Sequence, residues 1–138
     1  MSDGDCLFCQ IIAGQIPSTK VAESENVIAI LDINPVNPGH TLIIPKRHSQ
    51  DMLDADDEIL KEMIIFTKKV AQAILTSLGY EAFNLELNNG QIAGQIIPHL
   101  HWHIVPRTAD DGLLHWPGKK YPGGEAERVA AKIRAQIK

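Results

Sequence analysis

Apolar positions recur at helical spacing through one central stretch of the chain, residues 57–78. The apolar residues of this stretch follow one another at intervals of three or four: Ile59, Met63, Phe66, Val70, Ile74 and Leu78. Asp56 or Asp57 can cap the start of a helix, and Gly79 can adopt the left-handed conformation that ends one. The pattern therefore predicts one long helix whose apolar stripe packs against a core.

Shorter apolar or alternating runs lie on both sides of this helix and are typical of strands. They span residues 20–24, 26–32, 40–45, 81–88 and 100–106. The run 81–88 (EAFNLELN) alternates with a period of two, as a half-buried strand does, and residues 6–13 and 125–137 indicate short helices. One long helix and short terminal helices against roughly five strands, mostly joined as hairpins, predict a single α+β domain over residues 1–138.

Charge and composition exclude several classes of protein. A formal net charge of −4 argues against a general nucleic-acid binder, which normally shows a basic surplus. No apolar stretch approaches the ~18–20 residues that span a bilayer, and the acidic start MSDGD lacks the basic and apolar regions of a signal peptide. We therefore expect a cytoplasmic protein, in which Cys6 and Cys9 form a thiol pair or half of a metal site.

The candidate chemistry is concentrated in an alternating run of histidines, HLHWH at residues 99–103. In a strand, His99, His101 and His103 share one face at a spacing of ~6.5–7 Å, while the apolar residues between them face the core. Such a row suits phosphate chemistry, because one neutral nitrogen can attack phosphorus while its neighbours stabilise charge and protonate the leaving group. A metal site that uses two or three of these histidines is the alternative that spacing alone leaves open.

Two further segments add polar groups to this picture. His40 opens an apolar strand directly after Pro38-Gly39, where a side chain can face a pocket at a strand end. Gly94 and Gln95 lie just before the histidine run and can offer backbone N–H groups and an amide to a phosphate. Each signal is weak alone, and together they favour a phosphate site.

The residues in combination resemble the histidine triad (HIT) superfamily. The run HLHWHIV at 99–105 matches the His-x-His-x-His-apolar-apolar signature of that family. Similar matches cover almost the whole chain: Phe8 with IIAGQIP ending at Pro17, LDINP at 31–35, PGHTLIIPKRH at 38–48, Asn88, and AGQ at 93–95. The resemblance implies the HIT fold, a mostly antiparallel sheet of about five strands with one long helix.

The resemblance also implies a mechanism. Members of this family hydrolyse or transfer nucleoside monophosphates through a covalent nucleotidyl-histidine intermediate. The nucleophile is the middle histidine of the triad, which corresponds to His101, and its other nitrogen is held by a backbone carbonyl. His103 is expected to contact the phosphate and to stabilise or protonate the departing group. His40 matches an upstream histidine near the same phosphate, and Gln95 is expected to place the attacking water or the leaving group.

A nucleoside pocket is implied by the same resemblance. Asp32 matches the acidic residue that binds the ribose hydroxyls, and Ile16, Leu31 and Ile33 are expected to form the apolar slot around the base. Asn88, with Gly94, is expected near the phosphate or sugar. The chain departs from the eukaryotic Hint-type pattern at Ile96, where those members carry a hydroxyl residue.

A structural zinc site is a further expectation. Thiolates and imidazoles suit tetrahedral Zn²⁺, which takes four ligands in a closed structural site. Bacterial-type triad proteins, which this chain resembles, build a Cys-Cys-His-His site. Its counterparts here are Cys6, Cys9, His48 and His99, so that His99 is a metal ligand rather than an acid or base. No organic cofactor is expected.

Several functions remain open at this point. The favoured one is hydrolysis of purine nucleoside phosphoramidates or related adenylates, because residues 115–118 (HWPG) resemble the His-Trp-Pro terminus of Hint-type members. The alternatives are hydrolysis of dinucleoside polyphosphates of the Ap4A type, a non-catalytic nucleotide-binding module, and a metalloenzyme with histidine ligands. Family members are usually homodimers, and Ile65, Ala71 and Leu75 lie outside the main stripe of the long helix, compatible with a second buried face.

Overall fold

The computed structural model describes residues 3–138, so Met1 and Ser2 of the acidic N-terminal segment lie outside the described residues. Five strands form one sheet in the order β1-β2-β3-β5-β4, and every neighbouring pair is antiparallel. The strands are β1 (Lys20–Glu23), β2 (Val27–Leu31), β3 (Thr41–Pro45), β4 (Ala82–Glu86) and β5 (Trp102–Arg107). The predicted α+β class and mostly antiparallel sheet are confirmed.

The helices are α1 (Leu7–Ile12), α2 (Asp57–Leu78) and α3 (Glu125–Gln136). Three short 3-10 turns accompany them at Asp3–Asp5, Met52–Asp54 and Gln91–Ala93. The predicted long helix is α2, which ends at Gly79 with a φ of 74°, a left-handed conformation that glycine adopts without steric cost. Within the part of the chain that the structure describes, no helix combines the length and apolar character needed to cross a bilayer.

The two faces of the sheet are covered by different helices. Val27 and Ala29 of β2 belong to the core that includes Met63 and Val70 of α2. The intervening Ile28 and Ile30 pack with Phe8 of α1 on the other face. Burial on both sides explains why β2 and β3 read as continuous apolar runs rather than as alternating ones. The predicted core-facing residues Leu100, Trp102 and Ile104 lie on the α2 side.

Two features of the sheet differ from the expectation. The strand after the loop begins at Trp102 instead of residue 100, because the Leu100 N–H donates to the Ser49 carbonyl at 2.7 Å and the chain bends through residues 97–99. His99 and His101 therefore precede the strand. β4 is not half-buried: all its residues are exposed, since it is an edge strand on which α2 leaves Phe83 and Leu85 partly uncovered.

Candidate active site and metal centre

The α1 face of the sheet carries the histidines. His103 of β5 lies opposite Leu42 of β3, and Leu42 packs in the α1-side core. His40 directly precedes β3, and its position follows from the turn before it. Gly39 has a φ of 97°, and a Cβ there would lie 2.7 Å from Leu78 Cδ1. The left-handed φ is what favours glycine at this turn, which brings His40 to the sheet beside His103.

His101 presents an unprotonated ring nitrogen to a cavity. Its Nδ1 lies 2.7 Å from the carbonyl oxygen of His99, and because a carbonyl only accepts, Nδ1 carries the proton. Nε2 of the neutral ring is then a lone-pair donor. Burial lowers the pKa of His101 from its ordinary value, which favours this neutral form. The Phe8 ring packs edge-on against the imidazole at a centroid distance of 4.9 Å and fixes its plane.

His40 and His103 form a directed hydrogen-bond chain. The backbone N–H of Val36 donates to His40 Nδ1 at 3.0 Å, so neutral His40 carries its proton on Nε2. That Nε2–H donates to His103 Nδ1 at 2.9 Å, which leaves the proton of neutral His103 on its own Nε2. Burial lowers the pKa of both rings. The chain thus orients His103 as an Nε2–H donor.

Asp32 lies beside this pair as a counter-charge. Its Oδ1 accepts the Asn34 N–H at 2.8 Å, and its Oδ2 is 3.5 Å from His40 Nε2 and 3.9 Å from His103 Nδ1. The carboxylate raises the pKa of both imidazoles, in opposition to the larger effect of burial. It can therefore compensate one proton if the pair takes one up.

A cavity of about 390 Å³ lies in front of His101 and His103, a size within the usual range for small-molecule sites. Its lining comprises Leu7, Phe8, Ile11, Ile30, Leu31, Asp32, Ile33, Asn34, Leu42, Asn88, Gly94, Ile96, Ile97, His101 and His103. Most of the residues expected in a nucleoside pocket are thus together here. Ile96, which stands where a hydroxyl residue was expected from the resemblance, contributes an apolar side chain.

Ile16 is not among the lining residues, and α1 supplies the apolar wall instead through Leu7, Phe8 and Ile11. The reason is that Ile16 lies in the turn after α1, where its N–H bonds back to the Gln10 carbonyl at 3.3 Å. The sequence carried a usable signal for the helix, because the three residues recur at spacings of one and three, as one apolar face of a short helix does.

Gln95 is also placed differently from the expectation. Its Oε1 accepts the Gly90 N–H at 2.9 Å, and its Nε2 donates to the carbonyls of Gln50 and Ile97 at 2.8 and 3.0 Å. With the side-chain amide bonded to backbone groups on both ends, Gln95 shapes the loop before the histidines and does not line the cavity.

A second set of side chains has the donor chemistry of a tetrahedral metal site. Cys6, Cys9, His48 and His99 each direct one donor atom to a common point, with all four atoms within 4.8 Å of one another. His99 Nδ1 lies 3.3 Å from Cys6 Sγ, 3.5 Å from Cys9 Sγ and 3.1 Å from His48 Nδ1. Ligands of a tetrahedral Zn²⁺, bound at about 2.0–2.3 Å, lie about 3.3–3.8 Å apart, so the donors fit such an ion.

The orientation of His99 supports this fit. Its Nε2 lies 2.8 Å from the Pro45 carbonyl, which places the proton on Nε2 and leaves Nδ1 as the donor atom toward the thiols. Cys6 and His99 are fully buried. The set ties α1 to the segment that leads into β5.

Asp32, His40 and His103 are also close enough to be considered as metal ligands. The hydrogen bond from Val36 argues against that role. A metal-bound histidine carries a proton on its other nitrogen and donates it to an acceptor, whereas His40 Nδ1 faces an N–H group. The trio is better suited to hold a proton than a cation.

Comparison with known proteins matches this geometry to a family. The family model described as "HIT domain" matches residues 13–110, which include the histidine run. The chain is 38% identical over 135 residues to an adenosine 5'-monophosphoramidase of Schizosaccharomyces pombe, covering 96% of this chain and 98% of that protein. It is 41% identical over 109 residues to an adenylylsulfatase of Arabidopsis thaliana, covering 79% of this chain and 55% of that protein.

Solved structures show the same fold. A HIT family protein from Bacillus anthracis superposes with a TM-score of 0.88 at 38% identity, covering 97% of this chain and 98% of that one. A Zn-bound histidine triad family protein from Mycobacterium smegmatis superposes with a TM-score of 0.78 at 34% identity, covering 98% and 96%. The overall fold is thus shared with these relatives.

Proposed function

The chain belongs to the HIT domain family, and from that premise we propose that this nucleotide hydrolase cleaves the P–N bond of purine nucleoside phosphoramidates. The observation that carries the proposal is the pair of fixed tautomers. His101 is held with Nε2 unprotonated by its bond to the His99 carbonyl, and His103 is held with Nε2 protonated by the chain from Val36. A nucleophile and a donor therefore face the same cavity.

In the first step His101 Nε2 attacks the α-phosphorus, and the bond from phosphorus to the leaving nitrogen breaks. The departing nitrogen takes a proton from the His40–His103 pair through His103. The pair enters this step with one extra proton, whose positive charge Asp32 Oδ2 compensates at 3.5 and 3.9 Å from the two rings. Delivery of that proton to the departing nitrogen returns the pair to its neutral form. The cationic ring of the nucleotidyl-His101 is stabilised by its Nδ1–H bond to the His99 carbonyl.

In the second step a water molecule attacks phosphorus and breaks the bond to His101 Nε2. Its proton returns to the His40–His103 pair, so that the nucleoside monophosphate leaves and the starting protonation state is restored. We assign base binding to the apolar slot of Leu31, Ile33 and the α1 wall, and ribose binding to Asp32. Asn88 and Gly94 border the phosphate end of this cavity.

We further propose that Cys6, Cys9, His48 and His99 hold a structural Zn²⁺, a proposal supported by their spacing and by the Zn-bound mycobacterial relative. When bound, the ion supplies a cross-link between α1 and the segment before β5, and thereby holds the His99 carbonyl that orients His101. The catalytic steps are carried by the protein side chains. Two cysteine thiols used in this way suit the reducing cytoplasm, where we place the protein.

We propose a homodimer in which the β4 edge strands pair and the α2 helices pack beside them. The outer face of α2 and the exposed side of β4 form one apolar groove, to which Ile64, Ile65, Leu75, Phe83 and Leu85 contribute. An exposed apolar edge strand such as β4 is stabilised by pairing with a strand of another chain. Sedimentation equilibrium should give twice the chain mass, and a monomer at micromolar concentration would rule the dimer out.

The test of the catalytic assignment is His101→Ala, assayed with adenosine 5'-phosphoramidate beside diadenosine tetraphosphate. We expect wild type to prefer the phosphoramidate and the variant to lose turnover by at least about 1,000-fold. A denaturing quench should trap nucleotide on wild type and not on the variant. Near-normal turnover by His101→Ala would refute the mechanism, and a reversed substrate preference would favour polyphosphate hydrolysis.

A further inference from the structure

A second cavity adjoins the nucleoside cavity and is not used by the steps above. It measures about 600 Å³ and lies between β4 and the segment that follows β5. Asn88 lines both cavities, so the second one begins where the phosphate end of the first one stops. A group attached to the phosphorus opposite the nucleoside would therefore extend into this space.

Glu86 is the charged residue nearest to the reacting histidines on this side. It lies directly opposite His103 in the β4–β5 register, so the two side chains share the same face of the sheet. The carboxylate is exposed in the single chain and lines the second cavity, on the strand that the proposed dimer pairs at its edge. Within residues 3–138 no hydrogen bond or salt bridge involves the Glu86 side chain, and its charge raises the pKa of His40 and His103 against the effect of burial.

The other strong charge in this cavity is already compensated. Arg107 donates from Nε to Asp111 Oδ2 at 2.6 Å and from Nη2 to Asp111 Oδ1 at 3.0 Å. Its Nη1 donates to Asn84 Oδ1 at 2.7 Å. With the guanidinium engaged in this bidentate pair, Glu86 sets the sign of the local field.

The remaining wall is largely apolar. Val36, Leu113, Leu114 and Trp116 line the cavity together with the polar residues. A cavity lined by both an indole and a carboxylate suits a cationic group with an alkyl or aryl body, because both attract positive charge. An anionic group, by contrast, would meet an uncompensated carboxylate about where it leaves the phosphorus.

We propose that Glu86 is a specificity determinant of this enzyme, making the second cavity a subsite for amine leaving groups that carry positive charge and excluding anionic ones. The inference rests on the proposed function. When the P–N bond breaks, the amine departs with the proton delivered by His103, and Glu86 attracts a leaving group that bears a further ammonium. A polyphosphate leaving group is repelled by the same carboxylate.

The test uses three adenosine 5'-phosphoramidates with the same P–N bond. Their amines are 1,4-diaminobutane, butylamine and 4-aminobutanoate, which are similar in length and carry a positive, no or a negative distal charge. We expect wild-type kcat/KM to fall in that order. Glu86→Gln should reduce the ratio of the first to the third by about tenfold, the size expected for two opposite changes of a charge interaction across a solvated cleft.

Glu81→Gln is the matched control, because it makes the same charge change about 16 Å away, before the far end of β4. It should leave the ratio at the wild-type value. An unchanged ratio in Glu86→Gln, or an equal change in both variants, would overturn the proposal.

Binding separates this proposal from the proposed function. The dissociation constants of the three amidates are measured on His101→Ala, with and without Glu86→Gln, where no turnover is expected. If wild type cleaved none of the amidates, the proposed hydrolase activity would fail. The order of the dissociation constants, and its loss on Glu86→Gln, would still decide whether Glu86 selects charge.

Discussion

Two groups of imidazoles lie next to each other in this protein, and they are prepared for different chemistry by the backbone groups behind them. In the metal centre, His99 donates from Nε2 to the Pro45 carbonyl and turns Nδ1 toward the thiols. In the active site, His101 donates from Nδ1 to the His99 carbonyl and turns Nε2 toward the cavity. The same side chain becomes a metal donor or a nucleophile according to which nitrogen a carbonyl engages.

His40 shows the opposite arrangement. Its Nδ1 accepts the backbone N–H of Val36, so its Nε2 carries the proton and donates to His103 instead of offering a lone pair. His40 therefore transmits orientation to His103. In our proposal one region of the molecule holds a cation and the other a proton, although a single carbonyl, that of His99, separates them.

Cys6→Ser gives the largest expected effect on the proposed metal centre and replaces none of the active-site side chains. Cys6 is also the N-cap of α1, where Sγ accepts the Cys9 N–H. Serine is a good N-cap, so the substitution removes the soft ligand while preserving the cap. We expect zinc to fall from about one equivalent per chain to a small fraction, and Tm to fall by about 10 °C or more. Metal analysis and calorimetry measure both.

His101→Ala is the matched control for this prediction. It removes the proposed nucleophile, which lies beside the metal centre. We expect its zinc content to stay unchanged and its Tm to fall much less than that of Cys6→Ser. The separate roles of the two regions would be contradicted if Cys6→Ser kept its zinc and its Tm, or if His101→Ala lost the metal as well.

His40→Ala is expected to lower the rate of the reaction without removing zinc. The variant removes the donor to His103 Nδ1, so the tautomer of His103 is no longer fixed. Loss of one positioning and proton-holding group typically costs about 10- to 100-fold in kcat/KM. Steady-state kinetics with adenosine 5'-phosphoramidate measure the effect, and zinc content serves as the control. A variant with full activity would show that His103 does not depend on the chain from Val36.

The sequence predicted the elements better than it predicted the positions of some side chains. Helix α2 and the β-branched strands follow from period and composition, which are local properties. The start of β5 does not, because the bond from Leu100 to Ser49 that bends the chain joins residues 51 positions apart. The alternation of HLHWH nevertheless places Trp102 in the core and His103 on the opposite face.

The candidate site was predictable where a residue type limits the chemistry. Histidines and cysteines have few uses in combination, and the structure brings the predicted sets together. Gln95 and Ile16 were harder, because an amide or an aliphatic side chain serves many roles. The hydrogen bonds that engage Gln95 leave no periodic trace in the sequence, whereas the α1 wall that takes the place of Ile16 does, in the spacing of its apolar residues. The role of the Val36 N–H is invisible to sequence patterns, since any residue other than proline supplies that group.

The smallest expected effect is on the pH dependence of stability, and it reports on the proton-holding region. Burial lowers the pKa of His103 in the folded protein, while the nearby charges of Asp32 and Glu86 oppose this and His40 adds to it. As pH falls below about 6.5, the imidazole of His103 binds a proton in the unfolded chain but stays neutral in the folded protein. Stability is therefore lost between about pH 6.5 and the lower folded pKa, and is unaffected above that window.

In His103→Asn this contribution is absent, so Tm should fall less steeply than in wild type between pH 7 and 5. Protonation of the metal ligands affects both proteins equally at saturating zinc, so the difference between the two curves reports on the His40–His103 pair. Parallel curves would mean that His103 titrates in the folded protein as it does in the unfolded chain.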